Sequence, residues 1–165
     1  MKDVKSLAKS FLYAFKGIMW AVCNERNFRI HITCMSYMFY FLVRYDFFVI
    51  SKAEFCCLLL SCALVLGGEL INTGIEKADD TVSKERRATI AISKDAAAGA
   101  VLVFAIFSVV IGVIIMFQKE AFSLLFNHYV SEPISFVLLL VSFVPALLFI
   151  FKFESLLKFI RGKKK

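Results

Sequence analysis

Two long stretches without a charged residue, 96–118 and 133–151, constrain the fold of this chain more than any other feature. A helix needs roughly 20 apolar residues to cross a bilayer, so each stretch predicts a transmembrane helix. Two shorter uncharged stretches precede them, and they become long enough if their charged ends lie at a membrane interface. Hydrophobic residues make up 60% of the chain, which excludes a disordered protein. The sequence predicts an all-α membrane protein with spans near 30–49, 54–77, 96–118 and 133–152.

The basic residues fall mostly on one side of this arrangement. Seventeen of the 20 Lys and Arg residues lie in the segments 1–29, 77–95 and 152–165, which share one side of the membrane if there are four spans. Because segments rich in Lys and Arg stay in the cytoplasm, both termini are predicted to be cytoplasmic. We therefore expect a multi-pass protein of the cell inner membrane. Since the net charge of +7 is then a topology signal, we expect no nucleic-acid partner.

The first 28 residues predict a helix that lies in the membrane interface. Apolar side chains recur at helical spacing from Val4 to Val22, whereas Lys5, Lys9 and Lys16 lie off that stripe. An amphipathic helix with lysines on its polar face is typical of an interfacial segment. The predicted organisation is an interfacial helix over 1–28 and a three-span core to residue 119. An additional span with a basic tail follows over 120–165.

The second span ends in the sequence GGELINTGIEKADD, which places acidic residues where membrane helices rarely carry them. Glu69, Asn72 and Glu76 are spaced so that they share one helix face. An ionisable residue inside a membrane helix is by default a candidate functional residue. Several carboxylates on one stripe suggest a hard cation such as Mg²⁺, which takes oxygen ligands and is often shared with substrate phosphates.

Three further charged residues are predicted to lie at the same membrane face. Glu25 precedes the first span in NERNFRIH, and Lys94 and Asp95 open the third span. A Lys beside metal-bound phosphates neutralises a transferring phosphoryl group. The residues alone leave two classes open: a phosphotransferase, and a non-enzymatic cation-binding or structural membrane protein. A pore lining is disfavoured because the other half of the second span, 55–66, is apolar.

At NERNFRIH, GELINTGIEKADD and SKDAAAGAVLV the chain resembles the small integral-membrane lipid kinases of bacteria, the prokaryotic diacylglycerol kinase and undecaprenol kinase family. The resemblance runs from about Ser10 to Phe117 and includes SFLYAFKGI. It implies ATP-dependent phosphorylation of a lipid alcohol by a homotrimer whose active sites are shared between neighbouring subunits. The NFRIH and AAAGAV segments are more similar to undecaprenol kinases than to diacylglycerol kinases. The sequence does not decide between undecaprenol and diacylglycerol as the substrate.

The resemblance also implies a role for each matching residue. Glu69 is the general base, and Glu25 and Glu76 hold the Mg²⁺ on ATP, with Asn72 and Asp80 in support. The remaining nucleotide contacts are Tyr13, Glu85, Arg86, Arg87, Lys94 and Asp95. Besides Glu69, the lipid contacts are Phe15, Phe28, Arg29, His31 and Ala98. The loop SKERRATIAISKD departs from the family's pattern, and residues 120–165 lie outside its three-span unit, so no chemistry is predicted for that extension.

Overall fold

The structure is a computed structural model that describes the backbone of residues 2–79 and 87–162 and the side chains of residues 6–79 and 89–155. The described backbone forms six helices and no strand. They are α1 (Lys2–Asn24), α2 (Arg26–Arg44), α3 (Lys52–Asp79), α4 (Arg87–Met116), α5 (Lys119–Ser131) and α6 (Pro133–Gly162). The predicted all-α membrane fold is confirmed.

Three of the described helices are long and apolar enough to cross a membrane: α3, α4 from Thr89 onward, and α6 as far as Ser155. They correspond to the predicted second, third and fourth spans. The first predicted span differs, because α2 ends at Arg44 rather than near residue 49. Arg26, Arg29 and Arg44 also make α2 less apolar than the other three helices. That α2 crosses the membrane remains a prediction.

The helices α3 and α4 form a close antiparallel pair. A Cβ added at Gly68 of α3 would lie 2.9 Å from Cδ2 of Phe104 and 3.6 Å from Cγ2 of Val101, so only a glycine fits there without a shift. Further along the pair, the Ser108 hydroxyl donates a hydrogen bond to the Ser61 carbonyl at 3.2 Å. Small residues permit this approach, as they commonly do between membrane helices. The pair is the scaffold on which the acidic stripe of α3 is held.

The helices α2 and α6 pack side by side in opposite directions. The Tyr37 hydroxyl of α2 lies 2.8 Å from the Ser142 hydroxyl of α6. Two turns earlier in α2, Arg29 Nε donates to the Ile150 carbonyl, two turns later in α6, at 3.1 Å. Because α6 is an apolar membrane helix and α2 follows its length, the packing supports the prediction that α2 also lies within the membrane.

The bundle has two ends, which we call the lower and the upper end. At the lower end α1 meets α2, α3 ends and α4 begins, whereas the upper end holds the connection 45–51 and α5. The helix α5 was not predicted. It contributes Ala121 to a buried aromatic cluster with Tyr45 and Phe48, and the Tyr45 hydroxyl donates to the Tyr129 hydroxyl at 3.0 Å. The extension beyond α4 is thus packed onto the core at its upper end.

Candidate active site

A buried carboxylate pairs with a histidine at the lower end of the bundle. Glu69 on α3 is 5% exposed, and its Oε1 lies 3.3 Å from Nε2 of His31 on α2. Sequence analysis singled out both residues, but it did not predict that they contact each other. The contact depends on how α2 and α3 pack, which residue spacing along one helix does not reveal.

The acidic stripe continues one to two turns further along α3. Asn72 Nδ2 donates a hydrogen bond to Glu76 Oε1 at 2.9 Å, which confirms that these two residues share a helix face. Asn72 Oδ1 and Asp79 Oδ2 are buried and accept no hydrogen bond from any described residue. Buried oxygens without a donor are uncommon in folded proteins and suit a cation or an absent ligand. Asp79 was not among the predicted site residues, although it extends the same stripe.

Glu25 lies at the junction between α1 and α2, where its extended backbone (φ −101°, ψ 114°) separates the two helices. Partial burial raises the pKa of the Glu25 carboxyl, and the nearby Lys77 ammonium opposes the rise. The carboxylates of Glu76 and Glu69 raise this pKa further, and the Arg29 guanidinium lowers it. These electrostatic interactions indicate that the Glu25 carboxyl lies near the α3 stripe, within electrostatic range of Glu69 and Glu76.

Lys77 also belongs to this neighbourhood and was missed by the sequence analysis. Its Nζ lies 5.3 Å from the centre of the Trp20 ring, a distance typical of a cation–π contact. The contact ties the end of α1 to the end of α3, next to Glu25. In the sequence Lys77 is one of many basic residues near the predicted cytoplasmic face, and nothing distinguishes it from a topology signal.

Lys94 and Asp95 lie in the first turns of α4, with Lys94 half-buried and Asp95 exposed. Their height in the bundle follows from the helix register. Gly68 packs between Val101 and Phe104 in the antiparallel pair, so residues about two turns further along α3 lie level with residues about two turns earlier in α4. By this register Lys94 lies at the level of Glu76, as the prediction of a shared lower-end site requires.

The predicted lipid and nucleotide contacts on the other helices have different surroundings. Tyr13 and Phe15 are exposed on α1, at 65% and 61%, and Ala98 is exposed on α4. Phe28 and Arg29 are buried in the chain, and Arg29 Nη1 donates to the Val22 carbonyl at 3.1 Å. The Arg29 side chain therefore joins α2 to α1 and, through the Ile150 carbonyl, to α6. The roles of Phe28 and Arg29 as lipid contacts stay predictions.

Three predicted site residues, Asp80, Glu85 and Arg86, lie outside the described residues. Arg87 begins α4, and its side chain is likewise outside the described part. Glu85, Arg86 and Arg87 fall in the stretch where the sequence departs from the family's pattern, and their predicted nucleotide contacts rest on the resemblance alone. The supporting role of Asp80, which ends the matching GELINTGIEKADD segment, rests on the resemblance as well.

The predicted magnesium ligands, Glu25 and Glu76, lie at the lower end of the bundle together with other side-chain oxygens. Among the described residues, no three His, Cys, Asp or Glu side chains are close enough to hold a metal ion by themselves. Glu25 and Glu76 do lie near each other, and the buried oxygens of Asn72 and Asp79 adjoin Glu76 along the stripe. This donor set fits Mg²⁺ bound through one or two carboxylates together with the phosphates of a nucleotide.

The family model described as prokaryotic diacylglycerol kinase matches residues 12–116. That range contains every predicted site residue and excludes α5 and α6. No solved structure matches the chain.

Two curated relatives are similar in sequence. An undecaprenol kinase from Bacillus subtilis is 36% identical over 119 residues, which are 71% of this chain and 93% of that protein. A diacylglycerol kinase from Synechocystis is 36% identical over 115 residues, which are 65% of this chain and 60% of that protein. Both alignments leave part of this chain without a counterpart.

Proposed function

This chain belongs to the prokaryotic diacylglycerol kinase family, and on that basis we propose that it transfers the γ-phosphate of ATP to the hydroxyl of undecaprenol. It is a membrane lipid kinase, a phosphotransferase with an alcohol as acceptor. The observation that supports the chemistry best is Glu69, a nearly buried carboxylate on a membrane helix with a histidine nitrogen 3.3 Å away. A carboxylate in such a place requires a reason, because burying a charge in a membrane helix is unfavourable.

In the proposed reaction Glu69 is the general base. It removes the proton of the lipid hydroxyl, and the hydroxyl oxygen attacks the γ-phosphorus as the bond to the β–γ bridging oxygen breaks. ADP leaves, and the proton remains on the Glu69 carboxyl until the product departs. His31 holds the carboxylate in place through the Nε2 contact. The lower ends of α2 and α3 thus supply the base and the residue that orients it.

The nucleotide lies on the solvent side of Glu69 in this proposal. Glu25 and Glu76 would hold Mg²⁺, and Asn72 and Asp79 offer further oxygens beside them. The ion would neutralise charge on the phosphates during transfer. Lys94, level with Glu76 on α4, adds a cation for the phosphates.

Undecaprenol is the preferred substrate because the undecaprenol kinase matches over 93% of its own length, whereas the diacylglycerol kinase matches over 60%. Diacylglycerol is the second candidate, since it is the substrate that the other relative's name gives. We further propose that the lower end faces the cytoplasm, where ATP is available, and that the protein acts as a homotrimer. The first point is supported by the concentration of Lys and Arg at that end.

A direct assay tests the substrate. Purified protein in mixed micelles receives labelled ATP and Mg²⁺ with either undecaprenol or diacylglycerol, and the labelled lipid is quantified. We expect undecaprenyl phosphate to form with the higher kcat/KM. A higher kcat/KM for diacylglycerol would make diacylglycerol the preferred substrate. The absence of labelled product with both lipids would overturn the proposed activity.

A further inference from the structure

The connection between α1 and α2 is a single residue, Glu25, because α1 ends at Asn24 and α2 begins at Arg26. The amide nitrogen of Glu25 donates to the Ala21 carbonyl at 2.8 Å, and its own carbonyl accepts from the amide nitrogen of Arg29 at 3.3 Å. The backbone of Glu25 is thus bonded to both helices. Where its carboxyl lies relative to the acidic stripe of α3 therefore depends on the angle at which α1 and α2 meet.

Arg29 stabilises this angle from inside the bundle. It lies one turn after Glu25 in α2 and is only 3% exposed. Its Nη1 donates to the Val22 carbonyl at 3.1 Å. Val22 belongs to the last turn of α1, where carbonyl groups lack a partner within the helix and a cation is favoured by the helix dipole. The guanidinium of α2 therefore caps the end of α1.

A second hydrogen bond from the same guanidinium reaches the extension. Arg29 Nε donates at 3.1 Å to the carbonyl of Ile150 on α6, and Ile150 is itself 9% exposed. A guanidinium presents its donors in a rigid planar fork, so bonds to two helices fix its orientation. The family model ends at residue 116, so α6 lies outside the matched core. The helix junction in the core is thus supported by a helix that the core does not contain.

The other side of the junction faces the proposed metal ligands. Lys77 Nζ lies 5.3 Å from the centre of the Trp20 ring, which ties the end of α1 to the end of α3. The Glu25 carboxyl is within electrostatic range of Glu69 and Glu76. The junction is therefore held between α3 on one side and α6 on the other, and a shift of α6 would be transmitted to Glu25 through Arg29.

We propose that α6 is a positioning element of the active site: through the Ile150 carbonyl it holds Arg29, and Arg29 keeps Glu25 where it can share a Mg²⁺ ion with Glu76. The proposal rests on the proposed lipid kinase function. Arg29 is in this account a positioning residue that acts through Glu25. It gives the extension a part in binding metal and nucleotide, although no residue of the extension contacts either of them.

A pair of substitutions in α6 provides the first test. Ile150→Ala removes buried packing at the level of Arg29, whereas Leu148→Ala is the matched control because Leu148 is 55% exposed on the same helix. We expect Ile150→Ala to raise the Mg²⁺ concentration for half-maximal activity about tenfold, as when a residue that orients a metal ligand is lost. The lipid KM is expected to stay the same, and Leu148→Ala to change neither quantity. An unchanged Mg²⁺ requirement in Ile150→Ala would overturn the proposal.

Arg29→Lys separates the charge of Arg29 from its two hydrogen bonds. Lysine keeps the positive charge but lacks the planar fork that bonds both carbonyls. We expect Arg29→Lys to raise the Mg²⁺ requirement at least as much as Ile150→Ala. The double variant is expected to be no worse than Arg29→Lys alone, because both substitutions break one connection. Effects that multiply in the double variant would contradict the proposal, as would a higher lipid KM with an unchanged Mg²⁺ requirement.

A labelling experiment tests the junction without metal, nucleotide or turnover. Cys23 is half-buried in the last turn of α1, next to Val22. In a protein whose other four cysteines are replaced by alanine, we expect Ile150→Ala to speed the reaction of Cys23 with N-ethylmaleimide severalfold, because the end of α1 opens more often. Leu148→Ala is expected to leave the rate unchanged. Equal rates for the two variants would show that α6 does not hold the junction.

The outcomes separate this proposal from the proposed function. If the unaltered protein phosphorylates lipid and Ile150→Ala keeps both its Mg²⁺ requirement and its Cys23 rate, the positioning role of α6 is wrong and the kinase function stands. If the unaltered protein phosphorylates no lipid, the proposed function is wrong, and the role given to Glu25 falls with it. Should Ile150→Ala fail to fold, Arg29→Lys provides the same comparison with the unaltered protein.

Discussion

At the residue scale, the contact between His31 and Glu69 is the feature most open to test. The imidazole lies 3.3 Å from a carboxylate that is 5% exposed, so its removal would leave that carboxylate without the partner the structure gives it. We expect His31→Ala to lower kcat about tenfold, because an unpaired buried group loses on the order of 1–3 kcal/mol of interaction. The KM for ATP is expected to change little.

The conservative variant separates positioning from packing. His31→Gln keeps a hydrogen-bond donor of similar length and is expected to recover a substantial part of kcat. Steady-state kinetics of the three proteins at saturating ATP provide the measurement. Equal kcat values for His31→Ala and the unaltered protein would show that the contact has no part in turnover.

Glu25 gives a prediction about stability and pH. Its folded pKa lies above the unfolded value because of burial, and the neighbouring Glu76 and Glu69 add to the rise against Lys77 and Arg29. A raised carboxyl pKa gives a stabilising contribution that is complete below the unfolded pKa and is lost as pH rises through the folded pKa. At neutral pH the ionised Glu25 is therefore unfavourable for folding.

Glu25→Gln removes that ionised group. We expect a higher apparent melting temperature than that of the unaltered protein at pH 7 without nucleotide. The difference is expected to disappear below about pH 4, where the Glu25 carboxyl is protonated in both the folded and the unfolded chain. Thermal unfolding in detergent across this pH range is the measurement. A lower melting temperature for Glu25→Gln at pH 7 would contradict the electrostatic account.

The site residues show what one sequence can and cannot predict. The spacing of Glu69, Asn72 and Glu76 predicts one helix face, and the hydrogen bond between Asn72 and Glu76 confirms it for these two. The pairing of Glu69 with His31 and the contact of Lys77 with Trp20 join different helices. Such contacts follow from the rotation and register of packed helices, which local periodicity does not specify.

At the scale of helices, the α3–α4 pair depends on one glycine. Adjacent glycines in α3 differ in what a methyl group would meet: at Gly68 it would lie 2.9 Å from the Phe104 ring, and at Gly67 it would meet no atom within 4 Å. We expect Gly68→Ala to destabilise the protein by about 1–3 kcal/mol, because the ring or the helix must shift.

Gly67→Ala is the matched control. It is expected to be neutral or to stabilise the protein by up to about 1 kcal/mol, since alanine favours a helix over glycine. Chemical denaturation of both variants, followed by circular dichroism, provides the comparison. Equal effects of the two substitutions would contradict close packing at Gly68.

The helices were predictable to different degrees for physical reasons. Long uncharged runs predicted α4 and α6, because only a membrane helix needs so many consecutive apolar residues. The short helix α5 has no such requirement and carries Lys119 and Glu120 at its start, so 119–131 gave no comparable signal. The end of α2 at Arg44 was likewise not predicted, since the aromatic residues that follow pack as a turn against α5.

At the scale of the whole molecule, the extension is joined to the kinase core at both ends. At the lower end, buried Arg29 connects α6 to the core by donating to the carbonyls of Ile150 and Val22. At the upper end, Phe122 and Ala121 of α5 pack against the aromatic residues that follow α2. The extension therefore packs along α2 from the lower to the upper end of the bundle.

The central claim is that this protein is a lipid kinase in which Glu69 takes the proton from the lipid hydroxyl. The most direct measurement is the turnover of undecaprenol by purified Glu69→Gln, with labelled ATP and Mg²⁺, alongside Glu120→Gln as an exposed control from α5. We predict that Glu69→Gln lowers kcat by about 10²–10⁴-fold, with detergent-complex mass and ATP affinity unchanged, and that Glu120→Gln is fully active. Unaltered kcat in Glu69→Gln would contradict the account.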